Sequence, residues 1–279
     1  MKHSSPKILL FVVLLVIGLF SCRKEASNKK EPLLSRVVYN GLNGYKLYYS
    51  DKNLWTKWEL FKLDATDNSM SLYMTMEYND KDQLTKLSQF SMPGDIPSQR
   101  LFFEYDNSGK QTGYTLYDLQ GANPSKPSLK GTFVYNQQNQ LSTVTIKKDN
   151  GDLHAYFSLS YYPNGYVKER DEYDETITHQ LRLTSKTIYS IPIDNSIKGW
   201  EKMAVLPLDG DELTRKPRYE TVQRYLYNNG VLMKNIKEST SARESNADGT
   251  LKRLTSTTQT ITPASPDQVN IYEFEYIQQ

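Results

Sequence analysis

Three stretches decide the fold: LFFEYDNSGKQTGYTLYD from Leu101 to Asp118, TFVYNQQNQLSTVTIKK from Thr132 to Lys148, and FSLSYYPNGYVKERDEYD from Phe157 to Asp174. Each alternates apolar and polar residues, stops at an aromatic, crosses a short turn of Asn, Asp, Gly or Pro, and alternates again. Alternation with a period of two puts one side-chain set on each face of a strand, and Asx/Gly turns supply the reversal. The three stretches are the same β-hairpin written three times, which is the sign of a repeat architecture.

Working outward, LLSRVVYNGLNGYKLYYS (Leu33 to Ser50) reads as a first hairpin closing at Asn-Gly, a pair that accepts positive φ. Tyr39, Tyr78, Tyr105, Tyr135, Tyr161 and Tyr227 align as turn tyrosines, with a degenerate unit expected around Tyr189. The middle four are 27, 30 and 26 residues apart, room for two strands of about ten residues and two turns. This predicts an all-β chain, a long antiparallel meander of hairpins of about 26–30 residues, with about 14–16 strands forming a curved open sheet or a barrel. No stretch carries a helical period with caps. The turns beside the tyrosines are short (NDKD, DNSG, NQQN, PNG, NNG). The other connections, PGDIPS, LQGANPSKPS and the long loop 191–218, are longer and rich in proline. One uniform scaffold edge and one variable working edge are therefore expected.

Composition agrees. The 279 residues include 21 Tyr against 9 Phe and 3 Trp, and tyrosine suits a half-buried strand because its ring packs while its hydroxyl stays wet. Lys and Arg number 34 and Asp and Glu 32. Loss of Lys2 and Lys7 with a leader would balance them, so bulk charge gives no case for nucleic acid.

Residues 1–21 read as an export signal: a basic start to Lys7, then thirteen apolar residues from Ile8 to Phe20. Those make ~20 Å of helix, short of a ~30 Å hydrocarbon core. Cys22 is the single cysteine, which excludes an internal disulfide. Leu19-Phe20-Ser21-Cys22 resembles the bacterial lipobox, which implies diacylation of Cys22 and attachment to a membrane through the N-terminal lipid. Residues 22–31 are a polar tether and 32–279 the repeat domain. Lipoproteins of the Bacteroidetes are similar in this region, implying an outer-membrane lipoprotein facing the periplasm or the cell surface. Tyr105-Asp106-Asn107-Ser108-Gly109 resembles the YD (RHS-type) repeat, and Tyr161-Tyr162-Pro163-Asn164-Gly165 is similar to the turn of MORN-like repeats. Both families build β-meanders that act as shells, spacers or binding surfaces.

Candidate chemistry is sparse. His154 and His179 form no metal-ligand or nucleophile–base pattern, and no nucleophile elbow is present. In Asp171-Glu172-Tyr173-Asp174-Glu175 the alternation splits the carboxylates between faces. Asp209-Gly210-Asp211-Glu212 has the oxygen density of a weak calcium site without EF-hand spacing, so no metal or cofactor is assigned. Trp58 alternates with Leu60 and reads as core. Trp200, in the long loop, is a candidate contact with Asp209 and Asp211. These features favour a non-enzymatic binding module for a protein or glycan. A glycan hydrolase using loop carboxylates and a carrier of hydrophobic ligands are the alternatives.

Overall fold

A computed structural model describes residues 32–62, 69–176, 180–190 and 220–277. Sixteen strands follow in order: β1 Leu33–Tyr39, β2 Leu42–Tyr49, β3 Trp55–Phe61, β4 Met70–Tyr78, β5 Leu84–Ser91, β6 Ile96–Tyr105, β7 Gln111–Asp118 and β8 Leu129–Tyr135. Then come β9 Leu141–Lys148, β10 Leu153–Tyr161, β11 Val167–Glu175, β12 Leu181–Tyr189, β13 Thr221–Asn228, β14 Val231–Ser245, β15 Leu251–Thr262 and β16 Ser265–Ile277. Each pairs antiparallel with its sequence neighbours, and β16 returns to β1, so the meander closes into a barrel. Closure settles the choice between open sheet and barrel, and it removes the sheet edges that a long meander would otherwise expose. Among the described residues there is no helix. The Asn40-Gly41 turn holds both residues at positive φ, 49° and 79°, as a two-residue hairpin of the I′ kind demands.

The tyrosine at the end of an even-numbered strand organises one rim. Tyr49, Tyr78, Tyr105, Tyr135, Tyr161, Tyr189 and Tyr276 close β2, β4, β6, β8, β10, β12 and β16. Five donate their hydroxyls to the start of the preceding strand: Tyr49 to Leu34 O (2.5 Å), Tyr105 to Leu84 O (2.8 Å), Tyr135 to Gln111 O (2.7 Å), Tyr161 to Leu141 O (2.7 Å) and Tyr276 to Leu251 O (3.0 Å). Each bond satisfies a strand-terminal carbonyl with a side chain that also fills the interior. Replacing Tyr161 by Phe keeps the ring and leaves that carbonyl short of a donor. We expect a loss of about 1 kcal/mol, read as a lower urea midpoint at unchanged slope.

The same rim carries a repeated bulge. Opposite Tyr48–Tyr49, Glu77–Tyr78, Glu104–Tyr105, Val134–Tyr135, Ser160–Tyr161 and Glu244–Ser245, the next strand supplies one extra residue: Thr56, Thr85, Thr112, Ser142, Lys168 and Lys252. The extra residue lets the terminal tyrosine and the first residue of the following strand share the inner face. Between them the Asx side chain builds the turn. Asp106 Oδ1 accepts from the backbone N of Ser108 and of Lys110, both at 2.9 Å, and Asn136 Oδ1 accepts from Gln138 N (3.0 Å) and Gln140 N (2.9 Å). Gln83 Nε2 donates to Gly109 O (3.0 Å), tying one turn to the next.

Two expectations need correcting. Tyr39 and Tyr227 lie on the opposite rim from Tyr78, Tyr105, Tyr135 and Tyr161, because three strands, an odd number, separate Tyr39 from Tyr78 and Tyr161 from Tyr227. Tyr49 and Tyr189 take their places, with spacings of 29 and 28 residues to their neighbours. The same parity overturns the division into a scaffold edge and a working edge. The connection from β12 to β13, which contains 191–218, springs from the tyrosine rim, where Ser190 N donates to Thr221 O (2.9 Å), while Asn229-Gly230 turns at the other rim.

Leu34, Leu87, Leu101, Val144, Leu251 and Leu254 are 1–2 % exposed and belong to one cluster of inward side chains contributed by β1 to β10, β15 and β16. A round barrel of sixteen strands leaves a watery lumen. Here this arc of the interior is instead filled with protein.

Candidate binding surface

The two faces of the barrel differ sharply. Inward positions of β9 and β10 are Val144, Ile146, Ala155 and Phe157, all buried; the alternating outward ones are Thr143, Thr145, Lys147, His154, Tyr156 and Ser158. A membrane-spanning barrel has the reverse pattern, an apolar outer band about 25 Å tall around a polar interior. On β9 and β10 the outer wall is polar and the inner one apolar.

The interior turns polar from β11 to β14, with Ser256 and Asn270 extending the polar side onto β15 and β16. Arg170 lies with its guanidinium 4.5 Å from the Phe157 ring centroid and 3.9 Å from Glu172. Burial pushes the Arg224 guanidinium below its ordinary value, with Arg170 adding to the effect and Tyr189, Glu172 and Glu238 opposing it. Glu238 accepts from Ser256 Oγ (2.7 Å) and Tyr272 OH (3.4 Å), and Asn270 Oδ1 accepts from Tyr39 OH (2.5 Å). The interior carboxylates are thus matched to cations and hydroxyls, an internal polar network consistent with a structural role.

The outward face of β2 to β7 departs from the Thr/Lys/Glu pattern. Three rows cross it. One runs Lys46, Glu59, Tyr73, Phe90; the next Tyr48, Lys57, Thr75, Ser88, Arg100, Tyr117; the third Glu77, Lys86, Phe102, Thr115. Cross-strand partners touch on this face. Tyr73 and Phe90 stack with centroids 4.7 Å apart and planes 9° apart, and Phe102 meets Tyr117 edge-on at 5.6 Å. Lys57 Nζ sits 4.6 Å from the Tyr73 centroid and 5.6 Å from that of Tyr48, bonding Glu59 Oε1 at 2.8 Å. Tyr48 OH donates to Glu59 Oε2 (2.8 Å). Burial alone would raise the Glu59 carboxyl; bonds from Lys57 and Tyr48, and the charges of Lys57 and Lys46, outweigh it and hold the group below its ordinary value. Tyr48 and Phe102 keep 42 % and 41 % of their surface exposed. The result is a band of aromatic side chains packed on one another and on lysine, with Tyr48 and Phe102 its most exposed rings.

The structure places the tryptophans, histidines and carboxylates as follows. Trp55 is buried in the core and Trp58 packs against it from the inner face. His154 is exposed on the outer face of β10, and Asp171 and Tyr173 face outward while Glu172 faces inward, as alternation requires. Among the described residues no group of three or more His, Cys, Asp or Glu is placed to hold a metal ion. Cys22, His179, Trp200, Asp209 and Asp211 lie outside the described residues. The aromatic strip went unnoticed in the sequence, although parity carried the signal. In SLYMTMEY the inward set is Leu72, Met74, Met76 and Tyr78, and Tyr73 falls between; in LFFEY, Phe102 falls between Leu101, Phe103 and Tyr105.

A closed, hairpin-built β-barrel is thus the class of protein defined. No family model matches the chain, and no curated protein matches it. Among solved structures it is similar to a porin-like protein from Bacteroides uniformis (14% identity, TM-score 0.39, covering 88% of this chain and 96% of that one). It is also similar to a porin-like protein from Bacteroides vulgatus (11%, TM-score 0.42, covering 88% and 99%). A third likeness is to the toxin complex TcdB2-TccC3 (12%, TM-score 0.22), where the match takes in 84% of this chain and 15% of the other. None of these likenesses carries a functional inference for this chain.

Proposed function

We propose that the chain is a lipid-anchored, non-enzymatic binding module of the bacterial cell envelope. It is held at the outer membrane through Cys22 and engages a protein or glycan partner through the outer face of β2 to β7. The observation that carries this reading is the aromatic strip on the outer wall, on a barrel whose inner face is occupied over most of its circumference by its own side chains. A filled interior supports an outward working surface over an internal carrier cavity. The polar outer face of β9 and β10 is not a lipid-facing band, so attachment to a membrane falls to a separate anchor, which the lipobox-like Cys22 supplies. Trp200, Asp209 and Asp211, in the segment between β12 and β13, are proposed as a second contact set.

Two measurements test it. A clickable fatty acid fed to cells should label the protein and should not label a Cys22→Ser variant. Acylating reagents should modify Lys57 and Lys86 less in intact envelopes than in the detergent-purified full chain, with Lys147, outward on β9, modified equally in both. Equal modification of Lys57 and Lys86 in the two states would remove the surface from the proposal.

A further inference from the structure

We infer that the aromatic strip of β2 to β7 is a glycan-binding platform that takes an extended, uncharged or weakly charged polysaccharide chain. This rests on the reading of that face as the working surface. Three features select the ligand class. The first is extent: Tyr48 on β2 and Tyr117 on β7 are five strand spacings apart, about 24 Å at ~4.8 Å each, the reach of a short oligosaccharide and far more than one sugar ring. The second is ring chemistry. The rings come as separate groups, Tyr48 beside Lys57, the Tyr73–Phe90 stack, and the Phe102–Tyr117 pair, with polar Thr75, Ser88 and Thr115 between them. An apolar helix or strand from a protein partner would want a continuous greasy patch, which this is not. A sugar chain presents apolar C–H faces at intervals, with hydroxyls around them, and so matches alternating rings and polar groups.

The third feature is charge. Lys46, Lys57, Lys86 and Arg100 are interleaved with Glu59, Glu77 and Asp95, and the closest pairs are already joined: Lys57 to Glu59 at 2.8 Å and Lys86 to Glu77 at 2.7 Å. A near-balanced surface steers neither a polyanion nor a polycation. It offers donors and acceptors together, as a polyhydroxyl ligand requires. Ion pairing and stacking also hold the lysine and tyrosine side chains in place before the ligand arrives, which lowers the ordering cost of binding.

The experiment uses detergent-purified full chain in co-sedimentation with peptidoglycan sacculi and in affinity electrophoresis through soluble neutral polysaccharides (glucans, mannan, xylan). The two arms separate a cell-wall glycan from an external one. Tyr73→Thr and Phe102→Thr, both compatible with a strand, should each weaken binding about tenfold, and together abolish it, with melting temperatures close to the parent's. Val134→Thr, outward on β8 beyond the strip, should bind like the parent. Binding that survives the double substitution, or no binding in either arm, overturns the glycan assignment. If Lys57 and Lys86 are nonetheless protected in envelopes, the face is still the working surface and its partner is a protein. If they are not, both readings fall together.

Discussion

Gly131→Ala should cost about 3 kcal/mol of folding stability, far more than a single methyl group on a strand ordinarily does. Gly131 lies directly opposite Tyr114 in the β7–β8 pair, and a Cβ at Gly131 would come within 2.2 Å of Tyr114 Cε1 and 2.7 Å of Cδ1 and Cζ. The ring has nowhere to go: Tyr114 is 1 % exposed and wedged between Phe103 and Phe133, with centroids at 6.5 Å and 5.9 Å. An aromatic laid across a cross-strand glycine compensates for the glycine's missing side chain, so the two residues form one packing unit. Overpacking a filled core costs about 1–3 kcal/mol, and the upper end applies where the neighbour cannot rotate away. The surrounding ladder is also short, with four residue pairs between β7 and β8 against seven between β8 and β9. Tyr114→Ala should cost about 3–5 kcal/mol by leaving a cavity, and the double variant should cost clearly less than the two together, because the methyl group then enters vacated space. Urea unfolding of the four proteins tests this. A Gly131→Ala protein within ~0.5 kcal/mol of the parent, a neutral change by ordinary standards, would mean that Tyr114 does not lie over residue 131.

The same residues show how much of the molecule was legible in its sequence. The hairpins were, because alternation and Asx-Gly turns are local, and Asp106 builds with its own oxygen the turn that its sequence announces. The Tyr-Asx signal marks two different things, however. At Tyr105 it marks a tyrosine reaching back to Leu84 O; at Tyr39 it marks an ordinary hairpin turn on the far rim, whose hydroxyl goes to Asn270 on β16 instead. What tells them apart is the number of strand reversals between tyrosines, and this needs every strand counted. Tyr49 lacks a following Asx and escaped notice for that reason. The bulges were also hidden: Leu84-Thr85 or Leu141-Ser142 looks like plain alternation, and only pairing with Tyr78 or Tyr135 shows that one residue is extra. The aromatic strip depends on the same bookkeeping of faces. Tyr73 and Phe90 lie seventeen residues apart and meet only through the β4–β5 register, so no local pattern could have joined them.

Alkaline pH should unfold the barrel cooperatively between about pH 10 and 12, with tyrosinate absorbance rising in step with unfolding. Burial raises the phenols of Tyr49, Tyr78, Tyr105, Tyr135 and Tyr276 above their ordinary value of about 10, Tyr49 and Tyr78 to about 12 and Tyr276 further. Neighbours add to it. Tyr105 raises Tyr78, Tyr135 raises Tyr105, and Asp106 raises Tyr135, so charge on one member disfavours charge on the next. The sign follows from linkage. Below pH 10 the phenols are neutral in both states and their contribution to stability is complete. Above it the unfolded chain gives up protons that the folded rim retains, so stability falls as pH rises, until the folded phenols titrate as well. Several phenols share one structure and are all held in the neutral form, and their hydroxyls donate to the carbonyls that begin the odd strands. Ionising one therefore removes a donor from a strand end and places a charge beside the next ring. Tyr78→Phe takes one titrating group out of this chain without removing its ring, and should make the decline of melting temperature with pH shallower while leaving the melting temperature at pH 8 near the parent's. If instead the whole of the tyrosine absorbance change is complete near pH 10 in protein that remains folded by circular dichroism, the rim phenols are open to water.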